Sequence, residues 1–375
     1  MHPSALRHRG CRDPRNQPDR NHVSGRTGAR DPPPAFHDIA LAADGTDLLG
    51  PWQDVFNTAS QNATTLLNNY FLAPGIAAQQ FMANQAGYAQ ELLDDPTNTN
   101  DVVHQMQMNL ASVLTGYGLT GASDDTVKMV TQHTLDGLAL SGHAFLFNEV
   151  PSFLPSNVDP AMVTSILDLL ASPASGIIMG ALGPAISPWI ALMNSINDGD
   201  SFSEILAHTA GGFLNGADLD LGSVLPAVNG AGFLPPGLYL THLDIAFGGL
   251  LSTGSVSVGP YQVLGGGGDV MASTPAVGGS IFNSVGLELT GVPVLGTIAV
   301  DSQAIGPIGA WEAWGQVIGS LLGSGWAGNG PVDVTAPGAG IQLPLIPDID
   351  DGGAGSGLAS ELSSWWQDLT ALFSN

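Results

Sequence analysis

The chain has 375 residues, with 8 Lys and Arg against 33 Asp and Glu, one Cys, 50 Gly and 26 Pro. Seven of the eight bases lie in residues 1–30, so this stretch carries net +5 and residues 31–375 carry net −30, with Lys128 as their one base. Nucleic acid is excluded as a partner because phosphate contacts need clustered Lys and Arg, and an internal disulfide is excluded because Cys11 stands alone.

Residues 1–34 hold Arg, His, Pro and Asp with almost no apolar side chain. No signal peptide is readable there, since a secretory leader needs an apolar run of 7–15 residues. Three readings stand: a basic disordered tail, a targeting segment, or a mis-assigned, non-native N-terminus. The thiol-poor and base-poor remainder has the composition of an exported protein. Under each reading, residues 1–34 are expected to lack the apolar content that ordering requires.

Pro51 to Leu72 is the first predicted element. Trp52, Val55, Phe56, Ala59, Ala63, Leu66, Leu67 and Tyr70 fall at helical spacing between Gly50-Pro51 and Pro74-Gly75. Further helices are predicted up to Leu93, over Asp101 to Leu114, and from Ser123 to about Leu140. Asp159-Pro160 is an N-cap with proline at the first helical position. Ser201 and Glu204 form a capping box ahead of a short helix through His208. Residues 169–197 are uncharged and long enough to span a bilayer. Pro173, Pro184 and Pro188 interrupt the run, so we read a buried, kinked helical pair. Residues 45–235 thus form a mainly helical domain.

The character changes after residue 236. Leu238–Phe247, Ser255–Val258, Tyr261–Leu264, Ile281–Thr290 and Val294–Val300 are short and β-branched, and are separated by Gly or Pro turns. They predict a small antiparallel β region, with Gly265–Gly268 as a loop. Helix returns over Ile308–Leu322, which closes a region of β structure plus helix spanning 236–330. A Gly/Pro/Asp linker covers 331–357. A C-terminal amphipathic helix covers 358–375, with Leu358, Leu362, Trp365, Trp366, Leu369, Leu372 and Phe373 on one stripe. The fold class expected is α+β.

Candidate chemistry is sparse. The sequence contains no nucleophile elbow and no P-loop, and no dinucleotide fingerprint follows a strand. After the tail come His37, His104, His133, His143, His208 and His242, no two of them at the spacing that puts two imidazoles on one metal. We read them as surface or capping residues. Asp198, Asp200 and Glu204 do not follow a calcium-loop spacing, and helix capping accounts for Ser201 and Glu204. Asp348, Asp350 and Asp351 read as solvated linker. No catalytic, cofactor-binding or metal residue is assigned, no cofactor is expected, and the chain is read as no enzyme. With one base after residue 31, the carboxylates are expected on the surface or along a hydrated lumen.

Several longer strings carry a resemblance. They are Trp52–Ser60 (WQDVFNTAS), Ala171–Gly180 (ASPASGIIMG), Ser187–Asn194 (SPWIALMN), Asp244–Gly259 (DIAFGGLLSTGSVSVG), Gly306–Gly315 (GPIGAWEAWG) and Ser364–Leu369 (SWWQDL). Over about residues 38–375 the chain resembles the GjpA-like outer-membrane porins of mycobacteria and relatives, a family called after a channel-forming protein of Gordonia. Members usually open with an apolar secretory leader, from which residues 1–34 depart. The resemblance implies a non-enzymatic cell-envelope or outer-membrane protein, or a secreted one. It implies a channel with membrane or envelope partners. The acidic excess fits a cation-preferring pore, because carboxylate rings favour cations, and fits equally well a soluble acidic envelope protein. A single-chain barrel needs at least eight strands of about ten residues, more than this sequence offers, so a channel would be oligomeric. The other reading is an exported acidic structural or interaction protein without channel activity.

Overall fold

In the computed structural model the described residues are 49–323, apart from 73, 138–140, 154–157, 233, 265–268 and 293. Residues 1–34, His37, the Gly265–Gly268 loop, the 331–357 linker and the 358–375 segment lie outside them. Helices come first: α1 (Gly50–Leu72), α2 (Ile76–Asp94), α3 (Thr99–Gly118), α4 (Asp124–Thr131), α5 (Gly142–Glu149), α6 (Pro160–Ala171), α7 (Pro173–Asp198) and α8 (Phe202–Asn215). Then follow β1 (Ala217–Asp220), α9 (Leu225–Gly230), β2 (Tyr239–Phe247), β3 (Tyr261–Leu264), β4 (Val270–Thr274), β5 (Val285–Val292), β6 (Gly296–Val300) and α10 (Pro307–Leu321).

The architecture is α+β. Strands β1, β2, β5 and β6 make a four-stranded antiparallel sheet in the order β1-β2-β5-β6, and β3 with β4 forms a separate hairpin. Two strands were not foreseen: β1 lies inside the helical half, and β4 follows the glycine loop. The expected strand at 255–258 is absent, because Ser257 and Val258 give their N–H groups to the carbonyls of Leu135 and Gln132 instead of to a neighbouring strand.

Local chemistry sets the helix starts. Asp159 accepts from Ala161 N ahead of Pro160, and Ser172 accepts from Ser175 N ahead of Pro173. Ser201 and Glu204 complete the capping box, and α8 then runs on to Asn215, beyond the predicted end at His208. The fourth helix is shorter than predicted. It stops at Thr131, and a turn through residues 132–134 carries His133 into the core.

The largest correction concerns residues 169–197. The break falls at Ser172, and α7 then continues for 26 residues with Pro184 and Pro188 inside it. Each proline removes one backbone hydrogen bond. Neighbouring elements supply the tertiary support, for α7 packs against α8, α10, β1 and β2. Nor is the helix buried all round. One side carries Ser175, Gly176, Gly180, Gly183, Ser187 and Ala191, all buried. The other exposes Ile178, Leu182, Trp189, Met193 and Ile196.

The buried side works by being small. A Cβ at Gly176 would stand 2.4 Å from the Gly279 carbonyl oxygen, one at Gly180 2.8 Å from that of Gly306, and one at Gly183 2.2 Å from that of Gly248. Three connections, after β2, before β5 and before α10, therefore lie directly on the α7 backbone. Ser187 donates to the carbonyls of Phe247 (2.9 Å) and Gly248 (3.0 Å), and Ser175 Oγ accepts from Ile281 N (3.2 Å). Above this ridge Met179, Ile305 and Ala310 form an apolar cluster with Ile245 and Phe247.

Gly183→Ala is expected to cost about 1–3 kcal/mol, the usual cost of forcing extra volume into a packed interior. Gly87→Ala is the control. Gly87 lies in α2 with nothing near the position of a Cβ, so alanine is expected to stabilise by up to about 1 kcal/mol. Urea unfolding of both variants checks the contrast.

Candidate functional site

One concavity of the molecule is almost wholly apolar. Helices α2, α3 and α10 enclose a groove of about 700 Å³, lined by Phe81, Val103, Met106, Leu110, Ile318 and Leu322 with the amides of Asn84, Gln85, Gln107 and Asn109 beside them. None of its lining residues is charged. Polar clips hold the walls. Asn84 Nδ2 donates to the Leu322 carbonyl (2.9 Å) and Asn109 Nδ2 to the Tyr88 hydroxyl (2.8 Å). Ile76 is the only residue of α2 that is buried. Leu110 is 58% exposed and Leu114 67%. Helices are stabilised mainly by burying an apolar face, and these two have most of theirs uncovered.

A second cavity, of about 390 Å³, lies where α1, α7, α8 and β1 meet, and contains Asp54, Ser195, Asp198, His208 and Asp218. Ser195 Oγ is 2.9 Å from His208 Nδ1, and Asp200 Oδ2 is 2.9 Å from the same nitrogen. A nucleophilic relay needs the serine on one ring nitrogen and the carboxylate on the other. Sharing Nδ1 makes this a clip between the end of α7 and α8. Hydrogen bonding from Ser195 lowers the Asp200 pKa, and His208 adds to this against partial burial. Glu204 is likewise held low, chiefly by its bonds to Ser201. Burial raises the Asp218 carboxyl, and the charge of Asp244 raises it further. Asp198, Asp200 and Glu204 form no metal set: among the described residues no group of three or more His, Cys, Asp or Glu is placed to hold an ion.

The histidines divide. His104 is exposed on α3, while His208 and His242 are partly exposed beside Asp200 and Asp244. His133 and His143 correct the surface reading, since both are fully buried. His143 Nδ1 meets Asp136 Oδ1, and its Nε2 meets the Val285 carbonyl at 2.6 Å. His133 belongs to a continuous chain of neutral groups. Tyr261 donates to Gln316 Oε1 (2.9 Å), so its oxygen accepts from His133 Nδ1 (2.9 Å). His133 Nε2 then faces the Ser320 hydroxyl (3.4 Å). Gln316 Nε2 donates to Asn69 Oδ1, and Asn69 Nδ2 donates to the Pro275 carbonyl (3.0 Å). Sequence reading missed this chain because its directly bonded members lie up to 247 positions apart.

The carboxylate expectation also needs correction. Asp244 is buried, but His242 Nε2 (2.9 Å) and Ser302 Oγ satisfy it. Glu312 on α10 is different, with Oε2 buried and lacking any hydrogen-bond partner. Burial pushes its pKa up to about 8, so at neutral pH the group is held protonated and no charge is left unpaired.

In comparisons with protein-family models, curated proteins and solved structures, nothing matches this chain.

Two buried groups give opposite pH dependences. Burial lowers His133 to about 4, so its contribution is present above the ordinary histidine value of about 6.5 and is lost as pH falls towards 4. Glu312 is raised to about 8 from 4.5, so its contribution is present below 4.5 and is lost as pH rises through 8. Glu312→Gln should therefore raise the melting temperature most at pH 8 and least near pH 4, as followed by thermal unfolding across that range. Tyr261→Phe should cost about 1–3 kcal/mol at pH 7, because His133 and Gln316 both lose a buried partner.

Proposed function

We propose that this chain is a non-enzymatic cell-envelope protein that works at membranes, and that any conductance it has belongs to an assembly of several copies. The observation that carries the reading is the outer stripe of α7. Ile178, Leu182, Trp189, Met193 and Ile196 are all more than half exposed. The stripe spans 19 residues, about 28 Å of helix, against a hydrocarbon thickness of about 30 Å. Phe202 and Leu206 on α8 and Met162, Ile166 and Leu169 on α6 are exposed as well. Apolar exposure on this scale is characteristic of a surface that meets lipid or another copy.

The resemblance to GjpA-like porins supports an envelope role, and the net −30 of residues 31–375 supports cation preference if a pore forms. The strands argue for assembly. Those described number six, of four to nine residues, in two sheets, whereas a single-chain barrel uses at least eight strands of about nine to eleven residues. One further observation favours the second reading, an interaction protein without a channel. The inner side of α7 is tied to three backbone segments, so the helix cannot cross a bilayer without dismantling its own core.

Flotation with neutral phosphatidylcholine vesicles tests membrane association. The full chain should float, and Leu182→Glu combined with Trp189→Glu should weaken binding at least about tenfold, since burying one such side chain contributes about 1.5–3 kcal/mol. Failure of the folded chain to float defeats the proposal. Planar-bilayer recordings in a KCl gradient then separate the readings. Cation-selective steps whose frequency rises steeply with protein concentration support the assembled channel, and silence from chain that floats supports the interaction protein.

A further inference from the structure

The groove between α2, α3 and α10 lies next to the point where the described chain ends. Leu322 lines the groove, its carbonyl is held by Asn84, and Gly323, one residue later, is the last of the described residues. Fifty-two residues follow. The last eighteen, 358–375, carry Leu358, Leu362, Trp365, Trp366, Leu369, Leu372 and Phe373 at helical spacing, and their only charges are Glu361 and Asp368. We propose that residues 358–375 of the same chain occupy this groove, with the tryptophan-bearing stripe laid against Phe81, Met106 and Leu110.

Four features of the molecule favour this occupant. The first is length: eighteen residues in helix measure about 27 Å, and the walls are helices of 19 and 20 residues. Charge is the second. The groove lining is uncharged, and so is the stripe, which suits the laying of an amphipathic helix into an apolar groove. Reach is the third, since residues 324–357 extend to at most about 120 Å, far more than the groove requires. Tethering is the fourth. A segment rooted at the groove's edge is present at high effective concentration and outcompetes a free partner of equal intrinsic affinity. The inference goes beyond the membrane reading and does not depend on it, because the α7 stripe lies on other elements.

The test uses the full chain with Cys11→Ser, Gln107→Cys on the groove and Gln367→Cys beside the stripe, treated with a short bis-maleimide at low protein concentration. Cross-linked monomer is expected as the main product. It should be lost with Leu110→Glu and, separately, with Trp365→Glu plus Trp366→Glu, while far-UV circular dichroism reports that each variant is folded. Three outcomes would overturn the proposal. Folded chain that gives no cross-link means that the segment is elsewhere. Cross-linked dimer as the main product assigns the groove to a second copy. A monomer cross-link that survives both sets of glutamates means that the two cysteines meet without groove docking. Palmitate added to the double-cysteine chain provides an independent readout. Competition that lowers the monomer yield supports a shared apolar site, and palmitate binding that is unchanged by the tryptophan substitutions, in chain without a cross-link, assigns the groove to acyl chains instead.

Discussion

The rest of the structure hangs on the approach of three backbone segments to one helix. At Gly176, Gly180 and Gly183 a single added carbon would collide with a carbonyl oxygen, so these positions set how closely the β connections can lie on α7. Closeness is reciprocal. A Cβ at Gly248 would stand 2.1 Å from the Ile305 carbonyl oxygen, and one at Gly306 2.3 Å from that of Gly249. Glycine is required there for space more than for backbone freedom. With little side chain between the elements, hydrogen bonds donated by Ser187 and accepted by Ser175 take over part of the fastening.

This arrangement divides the molecule's chemistry in an unusual way. Side chains that normally face water, His133, His143, Asn69 and Gln316, are inside and bonded to one another or to backbone. Side chains that normally form a core, among them Trp189, Leu110, Leu114 and Phe202, are outside. Buried polar groups are tolerated when their bonding capacity is filled. Exposed apolar faces call for a partner. The α7 stripe and the α2–α3 groove are separate surfaces, and they suit different occupants: a wide flat stripe suits lipid or a second copy, and a lined groove suits a single helix.

Features that depend on neighbouring residues could be read from the sequence. The caps at Asp159 and Ser201, the strands over Tyr239–Phe247 and Gly296–Val300, and the helix from Pro307 all arise from signals within a few positions. Features that depend on distant partners could not. The prolines of α7 looked like breaks because their tertiary support comes from elements near residues 248 and 306. The burial of His133 depends on Tyr261, 128 positions away, and that of His143 on the Val285 carbonyl, 142 away. Glu312 escaped notice because an uncharged carboxyl breaks no rule about buried charge. The groove was invisible for a related reason: the helical spacing of α3 announced an apolar face, but not that it would stay uncovered.

The hydrogen-bond chain through His133 also has a direction. It ends on the Pro275 carbonyl, which can only accept, so Asn69 must present its amide nitrogen there and its oxygen to Gln316. Gln316 must then turn its own oxygen to Tyr261, and the orientation passes link by link to the imidazole. Four donor groups are thereby aligned by one backbone oxygen. A near-native packing that keeps every apolar contact but turns a single amide around would misorder every link beyond it. The chain thus acts as a check on correctness as well as a source of stability, rejecting arrangements between which hydrophobic burial alone would hardly discriminate.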